Sequence, residues 1–160
     1  MCEIEDRVAE ALTSSEADEI ITDLRKLVEF TEATLKNVAD GHAKLVDLIH
    51  RRIKRKEKVF CSKYASFHLP EIVPILDSRS EKEAKRLVKE LERNGDYVES
   101  DDSQQNNKDP DRYKKHCANL LRLMNELRKH GVAKPSLKKL DHVLYWRRGQ
   151  MTTSGYRPAK

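Results

Sequence analysis

The sequence predicts an all-α protein: a helical bundle with a long heptad-patterned N-terminal helical arm. Three observations carry that expectation. Apolar residues recur three and four positions apart along most of the chain, the spacing of one helix face. No stretch alternates strongly enough in polarity to define a strand. Charged residues make up 37% of the chain and aromatics 6%, a balance that suits exposed helices around a small aliphatic core better than a thick sandwich or a deep enzymatic cleft. A chain of 160 residues holds one domain, or one domain with an extension.

Ile4, Val8 and Leu12 form a short amphipathic start that Thr13-Ser14-Ser15 interrupts. Ser15, with Asp18 three residues on, reads as the capped beginning of the arm. From there Ala17, Ile21, Leu24, Val28, Thr31, Leu35, Val38, His42, Leu45 and Ile49 keep the three-four spacing, with Thr31 and His42 as the polar members. Two helices meeting near Asp40-Gly41 give the same pattern, because glycine costs about 1 kcal/mol inside a helix. Either way the stripe of Leu24, Val28, Leu35, Val38, Leu45 and Ile49 needs cover, from the rest of the chain or from a second copy in a homo-oligomer.

His50–Lys58, "HRRIKRKEK", continues the helical period and makes a basic cluster of Arg51, Arg52, Lys54, Arg55 and Lys56. Such a cluster binds phosphates or serves as a nuclear import signal. The plainer reading is a solvated helix end whose cations suit the negative pole of the helix dipole. Pro70 and Pro74 then permit a short helix or a bent loop.

Ser80 with Glu83 forms a capping-box pattern, Ala84, Leu87, Val88 and Leu91 share a face, and Asn94-Gly95 is a stop, so Ser80–Asn94 is predicted as a helix. Its acids, Glu81, Glu83, Glu90 and Glu92, have Lys85, Arg86, Lys89 and Arg93 at helical spacing and read as surface ion pairs. Asp96–Pro110 is polar and aperiodic, the composition of a flexible linker. Asp109 and Pro110 suit the N-cap and first turn of the next helix. That helix carries Tyr113, Cys117, Leu120, Leu121, Met124 and Leu127 and stops at His130-Gly131. Pro135 starts a last one, with Leu137, Leu140, Val143, Leu144 and Trp146 inward. The predicted division is therefore a helical arm over 1–66, a short helical segment over 67–97, a linker over 98–109, a basic helical module over 110–148 and a tail over 149–160.

Net charge is +5 but segregated: residues 1–36 sum to −6, 37–66 to +5, 67–111 to −5 and 112–160 to +11. The basic C-terminal half points to an anionic partner, an acidic protein segment or nucleic acid. Its candidate contacts are Lys114, Lys115, Lys134, Lys138, Lys139, Arg147 and Arg148. Chemistry finds less support. The six histidines never pair with nearby Cys or acids at metal-ligand spacing; His116 and Cys117 are about 100° apart on a helix. There is no glycine-rich phosphate loop and no nucleophile elbow, so the expectation is a non-enzymatic protein without cofactor or metal. Cys2, Cys61 and Cys117, odd in number and lacking a Cys-x-x-Cys pair, read as reduced thiols of an intracellular protein. "MCEIEDRV" lacks a signal peptide's basic start and apolar middle. No apolar run approaches the roughly 18 residues that a membrane span needs, so no membrane partner is expected.

Two motif-level readings converge on Leu127–Gln150. Leu127, Gly131, Val132, Leu137 and Leu140 fit the contact, turn and buried positions of a helix-turn-helix, which would offer Lys134, Ser136, Lys138 and Lys139 to a DNA major groove. "MNELRKH", Met124–His130, together with Trp146-Arg147, resembles the N-terminal helical domain of transcription elongation factors of the TFIIS and elongin A type. Asn125, Leu127, Arg128, Lys129, His130 and Trp146 are the matching positions, within the C-terminal half alone. That resemblance implies a compact bundle that docks short acidic-hydrophobic motifs of the nuclear elongation machinery. A coiled-coil scaffold without nucleic-acid contact is the rival from another class.

Overall fold

The computed structural model describes residues 3–93, 109 and 111–153. Among them are seven helices and no strand, so the chain is an all-α helical protein. It divides after Leu76 into two compact units.

Unit 1 is built on one central helix. α1 (Glu3–Leu12), α2 (Ser15–Arg25) and α4 (Lys58–His68) each pack against α3 (Glu32–Ile53). The cap of α2 is Ser14, one residue before the expected Ser15, and its hydroxyl accepts the Ala17 N–H at 3.3 Å. α3 begins with a box made of two threonines: the Thr31 N–H donates to Thr34 Oγ1 at 2.9 Å, and the Thr34 hydroxyl donates to the Glu29 carbonyl at 2.8 Å. Phe30 and Leu35 occupy the positions of a hydrophobic staple around this cap, and Phe30 is fully buried.

That cap overturns the single long arm. The heptad pattern runs through a turn, so Leu24 lies on α2 whereas Leu35, Val38, Leu45 and Ile49 lie on α3. Val28 falls in the turn and is 96% exposed, so it is not part of a buried stripe. Leu24, Val38, Leu45 and Ile49 are buried, and Leu35 is half-buried. Gly41 is no junction either; it sits inside α3, where a Cβ would stand 2.7 Å from Leu24 Cδ2. The missing side chain lets α2 approach α3.

His42, also on α3, is buried, and its Nε2–H donates to the carbonyl of Lys58 at 2.8 Å, tying α3 to the first residue of α4. Burial pushes its pKa down to about 4. The predicted boundary near residue 66 moves as well. Leu69, Ile72, Val73 and Leu76 are buried in unit 1, and the Leu76 N–H donates to Ser62 Oγ at 2.9 Å. The two prolines make this stretch irregular, but its apolar side chains still belong to the core.

Unit 2 contains α5 (Ser78–Glu92), α6 (Arg112–Lys129) and α7 (Leu137–Thr153). Asp77 caps α5 by accepting the Arg79 N–H at 2.8 Å, in place of the expected Ser80–Glu83 box. α6 starts after Asp111, whose N–H is accepted by Asp109 Oδ1 at 2.9 Å, so Asp109 holds the approach to the helix rather than its cap. α6 ends where expected, with Gly131 at φ +90°, a conformation that glycine reaches without a steric penalty. α7 continues to Thr153, past the expected end at residue 148. Residues 98–108 of the proposed linker and 154–160 of the tail lie outside the described residues. Glu81 near the start of α5 pairs with Arg112 at the start of α6, and Glu92 at its end with Arg122. α5 and α6 therefore run parallel, while α7, whose Arg147 meets Glu83, runs back against α5.

Two outcomes follow for unit 1. Alanine at Gly41 gains up to about 1 kcal/mol of helix propensity, but overpacking a filled contact costs about 1–3 kcal/mol. Gly41→Ala should therefore lower the Tm; a Tm at or above the parent's would mean that Leu24 swings aside. For His42, the unfolded chain takes up a proton below about pH 6.5 and the folded chain resists until about 4. The unfolded state thus binds more protons in that window, so stability is lost as pH falls through it, by roughly 3 kcal/mol at most. His42→Gln should show a smaller drop in Tm between pH 7 and pH 5 than the parent does.

Candidate functional site

The rotation of α7 decides which of its residues a partner can reach. Glu83 on α5 is fully buried; it receives Arg86 Nε and a terminal guanidinium nitrogen at 3.1 and 2.9 Å, and Arg147 Nε from α7 at 3.0 Å. With Arg147 turned toward α5, its neighbour Trp146 lies about 100° further round the helix. Leu137, Asp141 and Leu144 then face the bundle. The opposite arc carries Lys138, Lys139, His142, Val143 and Trp146, all exposed.

This corrects the expectation that Val143 and Trp146 point inward: they are 56% and 57% exposed. The three-four spacing of Leu137, Leu140, Val143 and Trp146 is real, but the buried arc is centred on Leu137 and Leu144, and Leu140 is half-buried at its edge. The His142 ring stands 6.0 Å from the Trp146 ring, centroid to centroid. Lys138 and Lys139 in the first turn of α7, and Lys134 in the connection before it, are exposed and make no ion pair with another described residue. The Ser136 hydroxyl accepts the Lys139 N–H at 3.2 Å and so starts the helix that presents them.

The other predicted contacts divide. Lys114 is exposed on α6. Lys115 is engaged by Asp109 at 2.8 Å, which raises its pKa, and Arg147 serves Glu83. The Arg148 side chain lies outside the described residues. Two cations absent from the predicted set carry structure: Arg112, buried, forks onto Glu81 with contacts of 2.6 to 3.0 Å, and Arg122 meets Glu92 at 2.6 Å. The acids of α5 are therefore not confined to pairs along their own helix. Glu83 and Glu90 do hold Arg86 in that way, but Glu81, Glu83 and Glu92 also reach α6 and α7. Three of these cations, Arg112, Arg122 and Arg147, are thereby paired with acids of the neighbouring helix. In the Met124–His130 segment, Asn125 accepts from Arg128 at 2.6 Å, Glu126 pairs with Lys129 at 3.0 Å, and Leu127 is 36% exposed.

In unit 1 the second basic cluster is similarly split. Arg51 pairs with Glu16, Arg52 stands 3.8 Å from Glu10, and Arg55 is 3.1 Å from Glu57. Lys54 and Lys56 are exposed beyond the end of α3. Lys54 is the C-cap and adopts the left-handed conformation, φ 60°, with its N–H donating to the His50 carbonyl at 2.8 Å. A side chain there costs about 1 kcal/mol or more relative to glycine. Sequence reasoning assigned no face to α4, which turns Phe60 and Phe67 to solvent. The signal was present: Cys61, Ala65 and Leu69 form the inward stripe, and the two phenylalanines fall opposite it.

Among the described residues no group of three or more His, Cys, Asp or Glu is placed to hold a metal. Burial pushes the Cys61 thiol up to about 12 and the Cys117 thiol up as well, so neither is a ready nucleophile at neutral pH. No helix among those residues is long and apolar enough to cross a membrane. Compared with protein-family models, curated proteins and solved structures, the chain matches none.

The Glu83 geometry carries its own expectation. Glu83→Ala leaves Arg86 with one carboxylate fewer in a confined setting and unties α7 from α5. Arg86 keeps Glu90 at 2.8 Å, so the cost is below that of a fully orphaned buried charge, about 1–3 kcal/mol. Chemical denaturation should report a loss of that order, and a loss below about 1 kcal/mol would show that the carboxylate is dispensable.

Proposed function

We propose that the chain is a non-enzymatic helical binding protein whose exposed α7 face docks an acidic protein segment bearing an apolar anchor. One observation supports this most: Trp146 and Val143 lie exposed on the same arc as Lys138, Lys139 and His142. A large aromatic ring left in water beside uncompensated cations suits a ligand that brings both a carboxylate and an apolar side chain. The small number of free cations favours an acidic peptide over a phosphate backbone, since Arg112, Arg122, Lys115 and Arg147 are already paired. The resemblance of Met124–His130 to the elongation-factor domain is the ground for placing such a partner in a nuclear, transcription-linked assembly.

The helix-turn-helix reading has weaker support. That motif joins its helices by a turn of roughly three to four residues, whereas residues 130–136 separate α6 from α7. Val132 is 41% exposed where a buried contact is required, and Lys134 and Ser136 precede the second helix instead of riding on it. The coiled-coil scaffold reading rested on a stripe whose buried members now have cover within unit 1.

Trp146 is the chain's single tryptophan, so its fluorescence reports on the site directly. Titration with a 15-residue peptide of Asp and Glu around one Phe and one Leu should shift its emission. Lys138→Glu with Lys139→Glu should abolish that shift while leaving the circular dichroism melt unchanged, because exposed charges rarely move stability by more than about 0.5 kcal/mol. Trp146→Ala, read by anisotropy of the labelled peptide, should weaken binding roughly tenfold or more. If the parent ignores the peptide, or the charge-reversed variant binds it as well as the parent does, the reading fails.

A further inference from the structure

We infer that the α3–α4 edge of unit 1 is a second binding surface, independent of the α7 face, and that its ligand is single-stranded nucleic acid. α4 buries Cys61, Ala65 and Leu69 and turns the opposite side to solvent, with Phe60 40% and Phe67 84% exposed. The two rings are seven residues apart, so they share one face about 10.5 Å apart along the axis. Lys63 is exposed between them.

The Phe67 ring is not loose. The His68 ring meets it edge-on at 5.4 Å and also meets Tyr64 at 4.8 Å, and the Tyr64 hydroxyl donates to the Leu12 carbonyl at 3.2 Å. A chain of contacts running back to α1 thus supports an aromatic plate in solvent.

Just before α4 comes the basic run of residues 51–58. Arg51, Arg52 and Arg55 have carboxylate partners, which leaves Lys54 and Lys56 before α4 and Lys63 on it as exposed cations. Lys54 adds a second line of argument. It holds a left-handed C-cap that glycine would occupy at less cost, so the strain points to a use for its charge.

Isolated flat rings interleaved with cations match the two features that every single strand offers, an unpaired base face and a phosphate. A bilayer fits less well: Lys63 interrupts the apolar side, which lacks the broad aliphatic face of an interfacial helix.

The test is fluorescence anisotropy of the full chain with labelled 15-mers of uridylate and thymidylate, over a range of salt. Both should bind, since the contacts are to base faces and phosphates, and a duplex of equal length should bind several-fold more weakly. Phe67→Ala should weaken single-strand binding roughly tenfold. Lys54→Gly should leave the Tm unchanged or higher, yet weaken binding and reduce the slope of log affinity against log salt by about 0.7. Because both variants lie in unit 1, neither should alter the peptide-induced shift in Trp146 emission. Oligonucleotide binding that is absent, that survives both substitutions, or that favours the duplex would overturn the inference. So would binding confined to phosphatidylserine vesicles.

Discussion

Burying the carboxylate of Glu83 demands cations from more than one side, and meeting that demand organises unit 2. Arg86 on the same helix supplies a forked contact, but a residue with no exposed side-chain surface gains further cover from Arg147 on α7. That contact adds an ionic tie to the apolar packing of Leu137 and Leu144, which together set the face α7 turns to α5. The identity of the solvent-facing arc is then no longer free: Trp146, Val143 and the two lysines of the first turn go outward. The outward arc is thus the complement of the buried arc of Leu137, Asp141 and Leu144.

Unit 1 rests on a different constraint. α3 is covered by three helices and buries one apolar face, from Leu48 round to Val46, against them. Gly41 supplies the close approach and His42 a directional bond to α4. A neutral imidazole suits that place because it fills space like an apolar ring while still donating one hydrogen. The same residue makes the packing sensitive to acid, since adding a second ring proton to a buried imidazole is costly.

Helix type was legible from periodicity, and so were the helices of unit 2, the stop at Gly131 and the break that Pro135 announces, but not the division of the predicted arm into α2, α3 and α4. The error over the arm came from a coincidence of phase: the turn from Lys26 to Thr31 happens to keep the three-four spacing, so two helices that pack on each other look like one. Thr34 at the third helical position hid the cap, because the familiar signature has Glu or Gln there. Trp146 was misplaced for a related reason. Periodicity identifies a stripe but cannot say which edge of it is centred on the core, and the deciding partner, Glu83, lies 64 residues earlier in the chain. The paired state of Arg112, Arg122 and Arg147 was illegible for the same cause, since charge counts along a segment do not reveal the acids that another helix brings to it.

The parallel course of α5 and α6 has a consequence for how this protein can vary. A chain leaving the far end of α5 must return along the helix before α6 begins. Fifteen helical residues rise about 22 Å, and an extended chain covers at most about 3.3–3.6 Å per residue. Some six or seven residues are therefore a floor that no deletion can cross without reversing a helix. The stretch from Arg93 to Asp111 is well above that floor. Topology thus sets a minimum length for this connection, and wholesale shortening is not compatible with the parallel pair.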